Sequence, residues 1–205
     1  MANPRFDFEV PVPEVVYGDL LQCYAHFVSA SEHEMRLTSD TERVLRLASA
    51  WMKGGRRGLL LCGNCGTGKT KLIEALEHLI TYYSGGSGDK DTRILPMRIY
   101  SAKEIVRLSL SKDGLELERF NRLKKVRRLG IDDIGTEPVT VKNYGTDTNP
   151  IVDILFSRYE TMKVTILSTN YDMETIRKTY GERIYDRLCE MYDRIVFNFK
   201  SFRQM

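Results

Sequence analysis

The sequence predicts an α/β fold, in which a parallel sheet is covered by helices on both faces. From about residue 41 onward, short apolar runs of strand length alternate with amphipathic runs of helix length. Strands that alternate with helices along a chain generally form a parallel sheet. The 205 residues suffice for one domain with a buried core, and 42% hydrophobic and 29% charged residues are typical of a globular protein.

The elements follow from the apolar pattern and from the residues that begin and end helices. Pro4, Pro11 and Pro13 predict an irregular arm, with one helix near 17–30. Five strands are predicted at 58–62, 97–100, 128–131, 164–168 and 195–199. Helices are predicted from Ser39 or Asp40 to 54, at 69–83, from Ser101 onward, near 115–123, at 149–162 and, as two short helices, over 172–193. Residues 85–91 predict a flexible loop.

A glycine-rich stretch connects the first strand to the next helix. Residues 63–70 read Gly-Asn-Cys-Gly-Thr-Gly-Lys-Thr, which is the pattern of a phosphate-binding loop in its required context. The glycines allow backbone N–H groups to turn around a phosphate, and the helix N-terminus adds a favourable dipole. Lys69 is expected to neutralise the β- and γ-phosphates of ATP, and the Thr70 hydroxyl to ligate Mg²⁺. The expected nucleotide-binding residues are Gly63, Asn64, Cys65, Gly66, Thr67, Gly68, Lys69, Thr70 and Lys71.

Two acids end the strand predicted at 128–131. Paired carboxylates at a strand end are electrostatically unfavourable without a nearby cation, so Asp132 and Asp133 indicate a metal–nucleotide site. We expect Asp132 to hold the Mg²⁺ through water, and Asp133 to orient or deprotonate the attacking water. Glu137 is an alternative base, four residues beyond Asp133.

Asn170 follows the strand predicted at 164–168. Residues just past the carboxyl ends of parallel strands line the ligand crevice, so Asn170 is expected to bind the γ-phosphate or the attacking water. Cys62 and Cys65 form a C-x-x-C pair, but the sequence has no second ligand pair. We therefore do not expect a zinc site.

From about Val44 to the C-terminus, the chain resembles the AAA+ ATPases of the DnaC helicase loader and IstB transposition helper family. The residues that carry the resemblance are the phosphate loop, 131–135 as the Walker B motif, 168–170 as sensor 1, 181–188 as the arginine-finger segment and 197–203 as the terminal strand. The resemblance implies a three-layer P-loop NTPase core of the AAA+ type, with a five-stranded parallel sheet and without a full C-terminal helical lid.

The resemblance also implies an assembly. Arg187, or else Arg183, is expected to be the finger that completes the ATP site of a neighbouring subunit, and Arg203 to substitute in part for the missing lid arginine. Many AAA+ proteins place Glu where this chain has Asp133, so slow, assembly-dependent ATP hydrolysis is expected. The resemblance divides the chain into an N-terminal arm, 1–40, and an ATPase domain, 41–205. The arm is expected to dock on a partner or to cover the adenine pocket.

The expected partners are ATP, further copies of the chain and DNA, with a replicative helicase or a transposase as the protein partner. Arg56-Arg57 and the run 124–128 are basic clusters that could contact DNA phosphates. The alternatives are a P-loop small-molecule kinase and a nucleotide-gated interaction module with little turnover. No apolar run approaches the ~18 residues of a membrane helix and no signal pattern is present, so a cytoplasmic location is expected.

Overall fold

A computed structural model describes residues 5–6, 8–31, 35–85, 97–143 and 145–198. Its centre is a five-stranded, fully parallel sheet in the order β2-β3-β6-β1-β7. The strands are β1 (Gly58–Gly63), β2 (Arg98–Ser101), β3 (Arg128–Ile134), β6 (Val164–Thr169) and β7 (Tyr192–Phe197). The predicted α/β class and the predicted five-stranded parallel sheet are thereby confirmed.

Eight helices cover the two faces of this sheet in the described residues. They are α1 (Pro13–Ser29), α2 (Ser39–Gly54), α3 (Lys69–Tyr83), α4 (Ala102–Ser109), α5 (Gly114–Lys125), α6 (Pro150–Glu160), α7 (Met173–Tyr180) and α8 (Glu182–Met191). Helices α1 to α3 share one hydrophobic cluster with the sheet, and α4 to α8 share the other. None of these helices has the length and apolarity needed to cross a membrane.

Local chemistry explains most helix starts. Thr38, Ser101, Asp113, Asn149 and Asp172 each precede a helix, and the side chain of each accepts a hydrogen bond from a backbone N–H of the first turn. Helix α3 has the predicted bounds. Helix α1 begins four residues before the predicted start, because Pro13 supplies a favourable first helical residue.

Three strand features differ from the predictions. β7 begins at Tyr192 rather than at 195, and β3 continues to Ile134 through a register shift after Ile131. A hairpin of β4 (Val141–Asn143) and β5 (Thr146–Thr148) was not predicted, because its residues are polar and show no apolar alternation. The predicted loop residues 86–91 and the terminal residues 199–203, with Arg203, lie outside the described residues.

The N-terminal segment packs into the hydrophobic cluster that α2 and α3 form with the sheet. Phe6 lies edge-on to Trp51 of α2, with ring centroids 5.7 Å apart, and is fully buried. Two buried arginines fix this segment: Arg5 donates to the carbonyl of Met52 at 2.8 Å, and Arg128 of β3 donates to the carbonyl of Phe6 at 2.7 Å. The domain boundary at residue 40 stays a prediction, but the residues before it share a hydrophobic cluster with α2 and α3.

A third buried arginine joins α5, α6 and β6. Arg158 of α6 is 0% exposed, and its guanidinium donates to Thr165 Oγ1 (2.8 Å) and to three carbonyls. The carbonyls belong to Leu123 (2.8 Å), Val126 (2.8 Å) and Val164 (2.6 Å). Burial lowers the pKa of Arg158 to about 10. The Arg158 guanidinium donates to polar groups at the end of α5 and at the start of β6. It therefore holds α6 against both elements, in the part of the fold that carries β3 and β6.

We expect Arg158→Ala to lower the free energy of unfolding by about 3 kcal/mol, because it creates a cavity and leaves buried carbonyls without donors. Urea denaturation monitored by circular dichroism measures the change. Arg122→Ala is the matched control: Arg122 is exposed and pairs with Glu118 in the same helix, so less than about 0.5 kcal/mol is expected. Equal effects of the two substitutions would contradict this role of Arg158.

Candidate functional site

The site lies at the carboxyl end of the sheet, where three neighbouring strands end. β3, β6 and β1 are adjacent in that order, so the residues that follow them meet above one edge. A cleft of about 320 Å³ opens there, and α3 begins at its base. Among the residues predicted from the sequence, the lining consists of Cys65, Gly66, Thr67, Gly68, Lys69, Thr70, Lys71, Asp133 and Asn170.

Two glycines give the loop between β1 and α3 its shape. Gly63 has φ 151°, and a Cβ placed on it would lie 2.7 Å from both the Cβ and the carbonyl oxygen of Phe197. Gly68 has φ 89° and is the residue before the first turn of α3. The Thr67 hydroxyl closes the loop by donating to the carbonyl of Asn64 at 2.9 Å. A side chain at position 63 or 68 would therefore distort the loop.

Lys69 occupies the interior of this loop. Its ammonium donates to the carbonyls of Gly63 (2.7 Å) and Asn64 (2.8 Å) and to Oδ1 of Asn170 (2.8 Å). Burial lowers the pKa of Lys69, while the nearby Asp133 and Asp132 carboxylates oppose that effect. The structure thus brings the loop lysine and the predicted sensor asparagine together, and both point at the cleft where a phosphate would enter.

Asp132 connects three elements through its carboxylate. Thr70 at the start of α3 donates its hydroxyl to Oδ2 at 2.9 Å, and Ser168 of β6 donates to Oδ1. The Ser168 hydroxyl also accepts the backbone N–H of Asp133 at 2.8 Å. These contacts fix the carboxylate beside the Thr70 hydroxyl. Hydroxyl and carboxylate oxygens are the donors that Mg²⁺ prefers, so these two residues fit the predicted metal position.

Asp133 has an unusual backbone conformation. Its φ is 56°, in the left-handed region that a non-glycine residue rarely adopts, and it lies within the register shift of β3. The shift turns the chain so that Asp133 lines the cleft beside Lys69, while Asp132 stays against Thr70 and Ser168. The two consecutive acids therefore take different positions at the same edge of the sheet. In an undistorted strand, their side chains would point to opposite faces of the sheet.

Glu137 is not brought into the cleft. It is 5% exposed and lies under the turn that follows β3. Its Oε2 accepts the N–H of Gly135 at 2.8 Å, and its Oε1 accepts the hydroxyl of Tyr180. Both carboxylate oxygens are thus bound to neighbouring groups, and of the two candidate acids only Asp133 lines the cleft.

The two predicted finger arginines lie on α8, away from the cleft of their own subunit. The Arg187 guanidinium stacks over the Phe156 ring at 3.9 Å and over the Tyr159 ring at 4.5 Å. Arg183 lies over the same Phe156 ring at 4.8 Å. Their role as fingers stays a prediction. Among the described residues, neither arginine contacts the phosphate loop of the same chain.

The two cysteines of the C-x-x-C pair point to different environments. Cys62 is buried in β1, and burial raises the pKa of its thiol to about 11. Cys65 is exposed and lines the cleft. In the part of the chain that the structure describes, no three His, Cys, Asp or Glu side chains converge as metal ligands.

Sequence reasoning missed several residues of the site. Ser168 orients Asp132, Tyr171 donates its hydroxyl to the carbonyl of Gly135 at 2.8 Å, and Val28 and Ser31 bring the end of α1 to the cleft. A polar residue within the buried strand 164–168 was a signal for Ser168, because such a hydroxyl requires a partner. No local pattern identifies Val28 or Ser31, since the packing of α1 alone places them there.

Comparisons with known proteins show the fold. The crystal structure of the DnaC helicase loader is similar, with 21% identity, a TM-score of 0.63 and coverage of 80% of this chain and 93% of that one. The crystal structure of DnaI has 22% identity, a TM-score of 0.60 and coverage of 82% and 88%. The replication initiator DnaA, bound to AMPPCP and single-stranded DNA, has 15% identity, a TM-score of 0.61 and coverage of 98% and 52%. Neither a protein-family model nor a curated protein matches the chain. The chain therefore has the same α/β fold as these three proteins.

We expect Ser168→Ala to weaken the contribution of Mg²⁺ to nucleotide binding by about tenfold, because Asp132 loses a group that orients it. Fluorescent ATP titrations with Mg²⁺ and with EDTA measure this as the ratio of the two affinities. Ser49→Ala is the matched control, since Ser49 is also buried but donates only to the Leu45 carbonyl within α2. An unchanged ratio in Ser168→Ala would contradict the assignment of Asp132.

Proposed function

We propose that this chain is an ATPase that binds ATP with Mg²⁺ and hydrolyses it slowly, in an assembly of identical subunits. The observation that supports the proposal best is the cleft lined by Lys69, Thr70 and Asn170, where Lys69 contacts Asn170 while Thr70 contacts Asp132 behind the lining. These four residues provide a cation for phosphate, an amide for the terminal phosphate or water, and two oxygens for a metal. They come from three parts of the fold, the start of α3, β3 and the residue after β6, so chance is a poor explanation for their convergence.

The residues divide the work as follows. Lys69 and the loop N–H groups hold the β- and γ-phosphates, and Thr70 with Asp132 holds the Mg²⁺, which neutralises charge on the phosphates when bound. Asp133 orients or deprotonates the attacking water, and Asn170 fixes the γ-phosphate or that water. An aspartate reaches less far than a glutamate, which supports slow turnover. The same short reach supports, as a second candidate, a nucleotide-gated module that binds ATP with little hydrolysis.

Arg187 supports the assembly. Its Nη1 atom is buried, and in the described residues it has no hydrogen-bond partner. The guanidinium lies over the Phe156 and Tyr159 rings, and these contacts restrict the side chain, which lowers the entropy cost of contacting a phosphate on another subunit. We propose that Arg187 completes a neighbour's ATP site, with Arg183 as the second choice.

DNA is the proposed macromolecular partner, in replication or in transposition. The solved structure of DnaA carries single-stranded DNA and DnaC is a helicase loader, which favours a loader role with a replicative helicase. A helper role with a transposase rests on the sequence resemblance alone. Of the basic run at 124–128, Lys125 and Arg127 are exposed. Arg128, in contrast, is buried against the N-terminal segment, so its expected phosphate contact is wrong.

A small-molecule kinase is less well supported. Such an enzyme needs cationic side chains that clamp an acceptor phosphate. In the described residues, the cations that line the cleft are Lys69 of the phosphate loop and Lys71 of α3, which pairs with Glu74. The end of α1, with Val28 and Ser31, lines the cleft instead, which supports a role of the N-terminal segment in covering the nucleotide base.

We expect ATP turnover per subunit to rise with protein concentration, and Arg187→Ala to lower the maximal turnover about 10³-fold with little change in ATP affinity. Phosphate release measured over a concentration series checks both. Arg46→Ala, on an exposed face of α2, should behave like the unmodified chain. A larger loss in Arg183→Ala would identify Arg183 as the finger. Rapid phosphate transfer to a nucleoside monophosphate without phosphate release would establish a kinase.

We expect Lys125→Ala to weaken the binding of single-stranded and double-stranded DNA and to reduce the slope of log K against log salt concentration by about 1. Fluorescence anisotropy at several salt concentrations, with ATP present, measures the slope. Lys178→Ala is the matched control, because Lys178 is exposed on α7 and pairs with Glu174. A slope that is the same in both variants would place the DNA surface elsewhere.

A further inference from the structure

Two tyrosines hold the turn after β3: Tyr171, which follows β6, and Tyr180, the last residue of α7. Gly135, two residues after Asp133, has φ 97°. Its carbonyl accepts the hydroxyl of Tyr171 at 2.8 Å, and its N–H donates to Glu137 at 2.8 Å. A Cβ on Gly135 would lie 2.5 Å from the Tyr171 ring, so the ring packs directly on the turn. The backbone that presents Asp133 to the cleft is therefore bound at both of its polar groups.

Glu137 passes this constraint to α7. Its second carboxylate oxygen accepts the hydroxyl of Tyr180, the last residue of that helix. Both side chains are buried, at 5% and 8% exposure. Burial and the hydrogen bond to Glu137 raise the pKa of the Tyr180 hydroxyl, so it remains a donor at physiological pH. Removing either donor would leave an oxygen of this buried carboxylate without a partner, which destabilises the folded state. The contact is therefore strong.

Tyr180 is also joined to the helix that carries the finger arginines. Gly181, with φ 88°, both ends α7 and precedes α8, and its N–H donates to the Arg177 carbonyl at 3.0 Å. Arg177 then pairs with Glu182 in the first turn of α8. Arg187 lies on the same helix, stacked on Phe156 of α6. Direct contacts thus run from the Asp133 turn through Glu137 to Tyr180, and from Tyr180 the backbone at Gly181 and the Arg177–Glu182 pair connect α7 to α8.

We propose that Glu137 is a positioning residue, which fixes the Asp133 turn in its own subunit and ties it to the helix that supplies Arg187 to the next subunit. The inference rests on the proposed ATPase function. It assigns Glu137 no proton transfer, because both of its oxygens are occupied by Gly135 and Tyr180 and the residue does not line the cleft. The Glu137 carboxylate thus connects the position of Asp133 in one ATP site to the position of Arg187, which completes the next site.

Glutamine and alanine at position 137 separate positioning from base catalysis. In Glu137→Gln the amide oxygen can accept the Gly135 N–H and the amide nitrogen can donate to the Tyr180 oxygen, so both contacts survive without the charge. We expect Glu137→Gln to retain kcat and the pH profile of the unmodified chain. Glu137→Ala should lower kcat about 10²-fold with KM for ATP unchanged, because the turn loses its support but the phosphate loop does not. Loss of turnover in Glu137→Gln, comparable to that in Glu137→Ala, would overturn the inference in favour of a base.

Tyrosine variants test the connection to α8. Tyr180→Phe removes one hydroxyl and should lower kcat about tenfold. In an Arg187→Ala background the same change should have a much smaller effect, since the finger on which it acts is absent. Tyr82→Phe is the control, because Tyr82 is 59% exposed on α3. Full additivity of Tyr180→Phe and Arg187→Ala would show that the tyrosine does not act through α8.

Amide hydrogen exchange gives a readout that does not require turnover. We expect Glu137→Ala and Tyr180→Phe to raise exchange both in peptides that contain 133–137 and in peptides that contain 182–191, and Glu137→Gln to raise it in neither. An increase limited to one of these two segments would overturn the inference even if the chain hydrolysed no ATP. Absence of turnover in the unmodified chain, with coupled exchange in the variants, would instead refute the proposed ATPase function alone.

Discussion

The candidate site depends on the two hydrogen bonds that the carboxylate of Asp132 accepts. It belongs to one of the last residues of β3 before the strand ends at Ile134, and it accepts the Thr70 hydroxyl at the start of α3 and the Ser168 hydroxyl of β6. A partly buried carboxylate is stable there only because donors reach it from two other elements. The parallel register of β3 and β6 brings Ser168 close enough, and the order β3-β6-β1 brings the loop before α3 to the same edge. The Lys69 and Asn170 contact lies beside this group and requires the same arrangement.

Arginine serves three different purposes in this chain, and the sequence does not distinguish them. Arg5, Arg128 and Arg158 are buried, and each donates to backbone carbonyls of other segments. Arg183 and Arg187 stack on aromatic rings of α6. Exposed arginines such as Arg46 pair with neighbouring acids on their own helix. The net charge of +3 therefore overstates the positive charge that is exposed to nucleic acid, because some of the arginines are buried and hold the N-terminal segment and α6 in place.

Much of the fold could be predicted because the relevant signals are local. The bounds of α3 follow from the glycine before it and from an apolar stripe, and the start of α6 follows from Asn149 and Pro150. The early start of β7 and the hairpin at 141–148 could not be predicted, since a strand pairs according to its neighbours in space. Glu137 shows the same limit at the site: its position four residues after Asp133 suggested a base, whereas Tyr180 and Gly135 occupy both of its oxygens.

The sequence by itself determined the phosphate loop, because the eight residues 63–70 are contiguous and their backbone geometry depends on glycines at fixed positions. It also determined the alternation of strands and helices and the candidates Asp132, Asp133 and Asn170. Only the tertiary structure decided how those candidates divide their contacts. Ser168 lies 36 residues from Asp132, and Tyr180 lies 43 residues from Glu137. The register of the parallel sheet and the packing of α7 set those distances, and both depend on the burial of side chains from the whole chain rather than on any local pattern.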